Sequence, residues 1–174
     1  MTVDPAPDAG ADGAQRYVSV EGVRLRFAAA HMATLGDSLE PLHGHNYELR
    51  CRVDGPLTAD RWVIDFAALK RLAREACEQL DHRFLLQTRS PLLDIELREG
   101  RWRLRFGDRG YVFPEADVVA LPIENSTAEL LAQWLWERIA AGLAAGGHRS
   151  LVRLAVEVEE MPGQAGGYVR ALPA

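Results

Sequence analysis

The sequence predicts an α+β fold: a mainly antiparallel, four-stranded sheet that carries two helices on one face and an inserted hairpin. Three segments alternate apolar and polar residues, which is typical of half-buried strands, and a fourth strand is expected near the end of the chain. Two other segments place apolar residues at helical spacing. The order strand, strand, helix, hairpin, helix, strand, strand fits a sheet with helices packed on it. The chain has 174 residues, 48% of them hydrophobic, which is enough for one domain with its own core.

The first two strands are expected in the N-terminal half. Tyr17 to His31 is predicted to be a long strand, folded at Glu21-Gly22, and residues 32–42 are predicted to be a loop. In the next strand, His43 to Val53, apolar residues alternate with charged ones from Tyr47 onward.

A helix and the insertion follow these strands. Asp65 is a good N-cap for a helix from Phe66 to Leu80, whose apolar residues form one stripe. Residues 88–122 are predicted to be an insertion containing a hairpin from Leu92 to Phe106 that turns at Glu99-Gly100. Its second arm presents three arginines on one face, which could contact an anion but is more often simply solvated; they are Arg101, Arg103 and Arg105.

The second helix and two strands complete the chain. Ser126 and Glu129 have the spacing of a capping box and are expected to open a helix that reaches about Leu143. Leu151 to Glu160 and Gly167 to Leu172 are predicted to be the last two strands.

Composition excludes several classes of protein. The net charge of -5 argues against bulk affinity for nucleic acid. No apolar run is long enough to span a membrane, and the N-terminus lacks the features of a signal peptide. Cys51 and Cys77 are expected to be reduced core residues, as in the cytoplasm. Residues 1–15 are predicted to be a flexible tail, so that residues 16–174 form the single domain.

Three of the five histidines lie close together in the sequence, as His31, His43 and His45. An H-x-H pair is a weak signal by itself. However, residues two apart on a strand share a face, and all three histidines have the parity of the apolar residues on their predicted strands. Burying three imidazoles there is costly unless something binds them. Because three neutral imidazoles leave one position of a tetrahedral zinc open, the pattern predicts a catalytic zinc site.

Glu160 lies at the end of an apolar row. It has the parity of the strand's apolar face, which contains Val152, Leu154, Val156 and Val158. Either the strand ends at Glu159 and Glu160 is in water, or Glu160 accepts paired N–H donors from a ligand. The 2-amino and N3–H edge of a pterin or guanine presents such a pair.

Six short motifs follow one another between about residues 24 and 170. They are Phe27-Ala-Ala-Ala-His31, His43-Gly-His-Asn-Tyr47, Val63-Ile-Asp-Phe66, Leu80-Asp-His82, Asn125-Ser-Thr-Ala-Glu129 and Val158-Glu-Glu160 running on to Tyr168. In these motifs the chain resembles the 6-pyruvoyl-tetrahydropterin synthase and 6-carboxy-tetrahydropterin synthase family. The resemblance implies a tunnelling fold, zinc on His31, His43 and His45, and 7,8-dihydroneopterin triphosphate as substrate. It also implies active sites between the subunits of a trimer or hexamer. The exposed edges of an open sheet likewise favour a homo-oligomer.

The resemblance assigns roles to further residues. Glu160 would anchor the pterin ring, and Thr127 and Glu129 would help to hold it, although Glu129 also fits the capping box. Asp81 and His82 match the family's acid–base pair, in which a carboxylate orients an imidazole that shuttles a proton. Without the resemblance, His82 would simply be a residue that follows a helix end.

One departure from the family concerns the product. Members that form pyruvoyl or carboxy products carry a catalytic Cys shortly before the H-G-H, whereas this chain has Glu40 there and no Cys. Glu40 resembles the variant members in which Glu replaces that Cys. Those members cleave the side chain and give 6-hydroxymethyl-7,8-dihydropterin for folate synthesis. Zinc would polarise the side-chain hydroxyls, and Glu40 or His82 would remove a proton.

Three alternatives stay open. The chain could be a 6-carboxy-tetrahydropterin synthase of the queuosine pathway or a 6-pyruvoyl-tetrahydropterin synthase, although the missing Cys argues against both. It could be another three-histidine zinc enzyme, such as a carbonic-anhydrase-like protein, although there the third His would follow the H-x-H. It could also be a non-catalytic pterin-binding relative, in which Glu40 is a solvated residue beside Pro41.

Overall fold

The computed structural model describes residues 16–173, which form twelve strands and two α-helices. The strands are β1 (Tyr17–Val20), β2 (Arg26–His31), β3 (Thr34–Leu35), β4 (Ser38–Leu39), β5 (His43–Asp54), β6 (Arg83–Gln87), β7 (Asp94–Arg98), β8 (Arg101–Phe106), β9 (Arg109–Pro114), β10 (Val118–Leu121), β11 (Arg153–Met161) and β12 (Gln164–Ala171). The helices are α1 (Phe66–Glu78) and α2 (Ala128–Ala145). The predicted tail at residues 1–15 lies outside the described residues. No helix among the described residues is long and apolar enough to cross a membrane.

The α+β prediction is confirmed, but the main sheet has seven strands rather than four. Its order is β10, β6, β2, β5, β11 and β12, and β1 also pairs with β5. The first predicted strand corresponds to β1 and β2 together, and the other three correspond to β5, β11 and β12. Every pairing within this group is antiparallel. The added strands β6 and β10 are parallel to each other, and β6 is parallel to β2. Neither strand alternates buried and exposed residues, so the periodicity that reveals half-buried strands is absent from both.

The insertion forms a second sheet of three strands rather than a hairpin. β7 and β8 turn at Glu99 and Gly100, both with positive φ, as the sequence predicts. β9 then pairs with β8 after a turn at Gly107. The sequence did not predict β9. The arginines on the second arm are exposed, which confirms the solvated face; they are Arg101, Arg103 and Arg105.

The two helices pack against one another and against the main sheet, and their apolar residues belong to one large buried cluster. Asp65 caps α1 as predicted, because its carboxylate accepts a hydrogen bond from the Ala67 N–H at 3.0 Å. The predicted capping box at α2 is wrong. The N-cap is Thr127, without a side-chain hydrogen bond, because Ser126 is turned into the protein interior and Glu129 lines a cavity.

Candidate functional site

Strand pairing brings the three histidines together. β2 and β5 are antiparallel, with His31 opposite His43 and Ala29 opposite His45. Directly opposite residues of such a pair share a face, as do residues two apart on one strand. One ligand atom from each histidine lies within 4.8 Å of the others, so the described residues contain a group that could hold a metal ion.

Two backbone carbonyls orient the imidazoles of this cluster. The Nδ1 of His31 lies 2.9 Å from the Ser126 carbonyl oxygen, and the Nδ1 of His43 lies 2.8 Å from the Pro41 carbonyl oxygen. A carbonyl can only accept, so each Nδ1 carries the proton and each Nε2 keeps its lone pair. The two Nε2 atoms lie 3.1 Å apart. A hydrogen bond from Nδ1 to a carbonyl, which leaves Nε2 for the ion, is typical of metal-binding histidines.

The His31 imidazole is neutral at physiological pH. The pKa of His31 is lowered to about 4, chiefly by burial and also by the nearby His43 and His45, although the Ser126 hydrogen bond opposes this. Metal binding requires the neutral imidazole, so this ligand needs no deprotonation before an ion binds.

The histidine cluster opens into a cavity of about 480 Å³. The predicted residues that line it are His31, His43, His45, Glu40, Thr127, Glu129 and Glu160. Seven of the nine predicted site residues therefore share one cavity. None of the described residues that line the cavity is Lys or Arg.

Glu160 lies within β11, so the strand does not end before it. The pairing of β11 with β12 shifts between Glu159 and Met161, which is a β-bulge at Glu160. Bulges re-aim side chains, and Glu160 lines the cavity at the end of the buried row of β11. Its Oε1 is buried and has no hydrogen-bond partner within the described residues. Burial raises the pKa of the Glu160 carboxyl, the Glu40 and Glu129 charges raise it further, and the histidines lower it.

Glu40 follows the small hairpin of β3 and β4. Its backbone N–H donates to the Ala33 carbonyl at 2.9 Å, so it closes the base of that hairpin. The Oε2 of Glu40 lies 3.9 Å from the Nε2 of His43. The carboxylate thus stands beside the atoms that would bind a metal.

Thr127 and Glu129 reach the cavity from the first turn of α2. This turn lies close to β12, where a Cβ on Gly166 would lie only 2.8 Å from the Glu129 backbone N and 3.0 Å from its Cδ. A side chain at position 166 would therefore push the start of α2 away from the sheet.

Asp81 and His82 do not line this cavity. The Oδ1 of Asp81 accepts a hydrogen bond from the Ala28 N–H at 2.8 Å, and its Oδ2 lies 2.9 Å from the Nδ1 of His82. His82 has a φ of 56° and its N–H donates to the Ala28 carbonyl, so the pair is fixed to β2. His82 lines a second cavity, and His45 borders both cavities.

Neither cysteine belongs to the site. Cys51 and Cys77 are 0% and 1% exposed and lie in the large apolar cluster. Burial raises the pKa of both thiols to about 12. Both are reduced core residues, as predicted, and their raised pKa makes them poor nucleophiles.

Two functional neighbours were missed in the sequence. Ser126, 0% exposed, orients His31, and the Asn125 side chain bonds both the N–H and the carbonyl of Thr34, at 2.8 Å each. Both contacts join residues more than ninety positions apart, which no local pattern signals. The sequence shows the Asn125-Ser motif but not which residues it contacts.

Comparison with known proteins points to one family. A model of the 6-pyruvoyl tetrahydropterin synthase family matches residues 22–170. A Methanocaldococcus jannaschii protein named as a 6-carboxy-5,6,7,8-tetrahydropterin synthase is 31% identical over 149 residues, which are 85% of this chain and 91% of the relative. The Pyrococcus furiosus dihydroneopterin monophosphate aldolase is 37% identical over 62 residues, which are 36% of this chain and 53% of that protein.

A solved structure is also similar. It is Plasmodium vivax 6-pyruvoyltetrahydropterin synthase, as a catalytic residue mutant in which glutamate is replaced by alanine. It is 31% identical, has a TM-score of 0.85, and the match covers 91% of this chain and 99% of that chain. The extent of these matches establishes that the chain belongs to the 6-pyruvoyl tetrahydropterin synthase family.

Proposed function

We propose that the protein is a zinc-dependent lyase that cleaves the side chain of 7,8-dihydroneopterin triphosphate and gives 6-hydroxymethyl-7,8-dihydropterin. The observation that carries this proposal is the place of Glu40, beside the histidine cluster in a shared cavity, while both thiols are buried elsewhere. A carboxylate there can accept a proton from a substrate hydroxyl, and the chain offers no thiolate to do so.

His31, His43 and His45 fit a zinc ion. Two nitrogens bound to one tetrahedral zinc lie roughly 3.3 Å apart, close to the 3.1 Å between the Nε2 atoms of His31 and His43. The carbonyls that hold Nδ1 leave these Nε2 lone pairs free. When bound, zinc would supply a Lewis acid that lowers the pKa of a substrate hydroxyl and leaves one position open for it.

Glu160 is proposed to bind the pterin edge. Its buried, unpartnered Oε1 can accept an N–H from the ring, and its second oxygen can accept the neighbouring one. Thr127 and Glu129, on the same cavity wall, would hold the ring between α2 and β12.

The proposed reaction breaks the bond between the first two side-chain carbons. Glu40 accepts the hydroxyl proton on the second carbon, and this carbon becomes an aldehyde. The electron pair of the breaking bond passes into the C6=N5 imine of the dihydropterin ring. A proton then returns to the first carbon, which becomes the hydroxymethyl group, and the phosphorylated two-carbon aldehyde leaves. His82, oriented by Asp81, is the second candidate for these proton transfers.

We also propose that the enzyme works as a trimer or hexamer in the cytoplasm. His82, which Asp81 orients, borders a different cavity from Glu40, so this pair would act on substrate held by a neighbouring copy of the chain. Two buried free thiols suit a reducing compartment.

The relatives support this proposal in two ways. The Plasmodium vivax enzyme is described as having a catalytic glutamate, and the Pyrococcus furiosus relative is an aldolase, the reaction class proposed here. The second candidate is a 6-carboxy-tetrahydropterin synthase, which is favoured by the name of the Methanocaldococcus jannaschii relative. A 6-pyruvoyl-tetrahydropterin synthase or a non-catalytic pterin-binding protein would be further outcomes of a product assay.

The test compares Glu40→Ala and Glu40→Gln with the parent and with Asp37→Ala, a matched acidic residue that is exposed on the same hairpin. Zinc content and turnover of 7,8-dihydroneopterin triphosphate are measured for each. Loss of a general base lowers the rate by roughly a hundredfold or more, so both Glu40 variants should be nearly inactive. Both should hold full zinc, because the three histidines are unchanged. Full turnover in Glu40→Ala would overturn the proposal, and Asp37→Ala should match the parent.

A further inference from the structure

The inserted three-stranded sheet contacts the segment that carries Glu40. Leu39, the last residue of β4, is 5% exposed and belongs to a second apolar cluster together with Leu104 of β8. The Leu39 carbonyl accepts a hydrogen bond from the Nη2 of Arg109 at 2.6 Å. The insertion therefore holds both the side chain and the carbonyl of the residue before Glu40.

The hairpin of β3 and β4 is too small to hold its own position. Each strand has two residues, and they pair at Thr34 with Leu39 and at Leu35 with Ser38. The first strand is held by the two hydrogen bonds between Asn125 and Thr34. The second strand is held by Arg109 and by the burial of Leu39.

Arg109 is itself well placed to act as a support. It is the first residue of β9, and the turn before it contains Gly107 with a φ of 58°. Its guanidinium carbon lies 5.0 Å from the centroid of the Phe106 ring, and Phe106 packs against the second cluster. A planar guanidinium held by a ring loses little further freedom when it donates to a carbonyl.

We propose that Arg109 is a positioning residue for Glu40. The Leu39 carbonyl and the Glu40 N–H belong to one peptide group, and the N–H donates to the Ala33 carbonyl at 2.9 Å. Both ends of this peptide group are therefore bonded, which sets where the Glu40 side chain leaves the backbone. Removing the Arg109 donor frees one end. The inference rests on the proposed catalytic role of Glu40, where a displacement of about 1 Å can cost roughly a hundredfold in rate.

The experiment uses zinc-loaded, full-length protein. Arg109→Met removes the donor and keeps an apolar stem, and Arg109→Lys keeps a cationic donor. Arg103→Met is the matched control, because Arg103 is exposed on the neighbouring strand β8. Steady-state kcat and KM are measured on 7,8-dihydroneopterin triphosphate, together with amide hydrogen exchange at Glu40.

Arg109→Met should lower kcat by about ten- to a hundredfold with KM within about twofold of the parent value. Exchange at the Glu40 amide should become faster, while zinc content and exchange in the main sheet stay unchanged. Arg109→Lys should recover most of the lost kcat, and Arg103→Met should behave as the parent.

Unchanged kcat in Arg109→Met would overturn the proposal. So would a loss of kcat with unchanged Glu40 exchange, or faster exchange throughout the domain, because either would mean that Arg109 acts elsewhere or only on overall stability. If the parent itself is inactive on this substrate, the proposed function fails. The exchange measurement then still decides whether Arg109 holds the Glu40 peptide, and unchanged exchange overturns that.

Discussion

The Nδ1 of His31 lies 2.9 Å from the carbonyl oxygen of Ser126, a residue ninety-five positions away in the chain. This contact joins β2 to the start of α2, and it fixes the tautomer that presents Nε2 to the histidine cluster. The Pro41 carbonyl does the same for His43. Two of three candidate ligands are therefore oriented by the fold itself.

The first prediction concerns metal content. His43→Ala removes one of the three candidate ligands, so the purified protein should lose stoichiometric zinc, measured by elemental analysis. His148→Ala is the matched control, because His148 lies at the end of α2 beside a different cavity. Full zinc in His43→Ala would rule out the ligand assignment.

The second prediction concerns pterin binding by Glu160. Glu160→Gln keeps the size of the side chain but turns an amide donor toward the N–H donors of the pterin. An unpaired buried donor costs about 1–3 kcal/mol, which is roughly tenfold or more in affinity. Calorimetric titration with 7,8-dihydroneopterin measures this. Glu157→Gln, on the outer face beside Arg50, should bind as the parent does. Equal affinity in Glu160→Gln would contradict the assignment.

The third prediction concerns the thiols. Burial raises the pKa of Cys51 and Cys77 from 9.0 to about 12. Native protein at about pH 8 should therefore resist iodoacetamide and keep its activity, while denatured protein labels twice. Since the folded pKa is the higher one, the stability that the neutral thiols contribute is complete below pH 9.0 and is lost as the pH rises toward about 12. Rapid labelling of native protein with loss of activity would point to a catalytic thiol.

The fourth prediction concerns the Asp81–His82 pair. Burial opposes ionisation of Asp81, but the hydrogen bonds from Ala28 and His82 outweigh it and hold the pKa of this carboxyl below its usual value. Asp81→Asn would keep an acceptor for the Ala28 N–H and turn an amide donor toward the Nδ1 of His82. A donor there favours the tautomer with the proton on Nε2, whereas the Asp81 carboxylate favours the proton on Nδ1. We expect kcat to fall by roughly a hundredfold with zinc content unchanged. The kcat of His82→Ala should fall by the same factor, and the kcat of the double variant should be little lower. Parent-like kcat in Asp81→Asn would show that the pair takes no part in the reaction.

Strand parity was sufficient to predict how the histidines meet. His43 and His45 share the face of Tyr47 and Leu49, and the pairing of β2 with β5 places His31 on that face. Parity also predicted that Glu160 lies at the end of the buried row of β11. These relations are local or depend on one strand pair, which is why the sequence reveals them.

Other relations depend on contacts between distant segments. The parallel pairing of β6 with β10 joins the strand before the three-stranded sheet to the strand after it, and neither strand alternates. Ser126 fitted a local capping rule, but its contact with His31 prevailed because a buried imidazole needs a partner. The contact between Arg109 and Leu39 could not be predicted, since it requires the position of β9 relative to the β3–β4 hairpin.

The identity of the product distinguishes side-chain cleavage from the carboxy- and pyruvoyl-forming reactions. Zinc-loaded parent protein is incubated with 7,8-dihydroneopterin triphosphate, and the products are identified by mass spectrometry. The proposed cleavage should give 6-hydroxymethyl-7,8-dihydropterin together with a phosphorylated two-carbon aldehyde, both lost in Glu40→Ala. Carboxy- or pyruvoyl-tetrahydropterin as the main product would contradict the proposed cleavage.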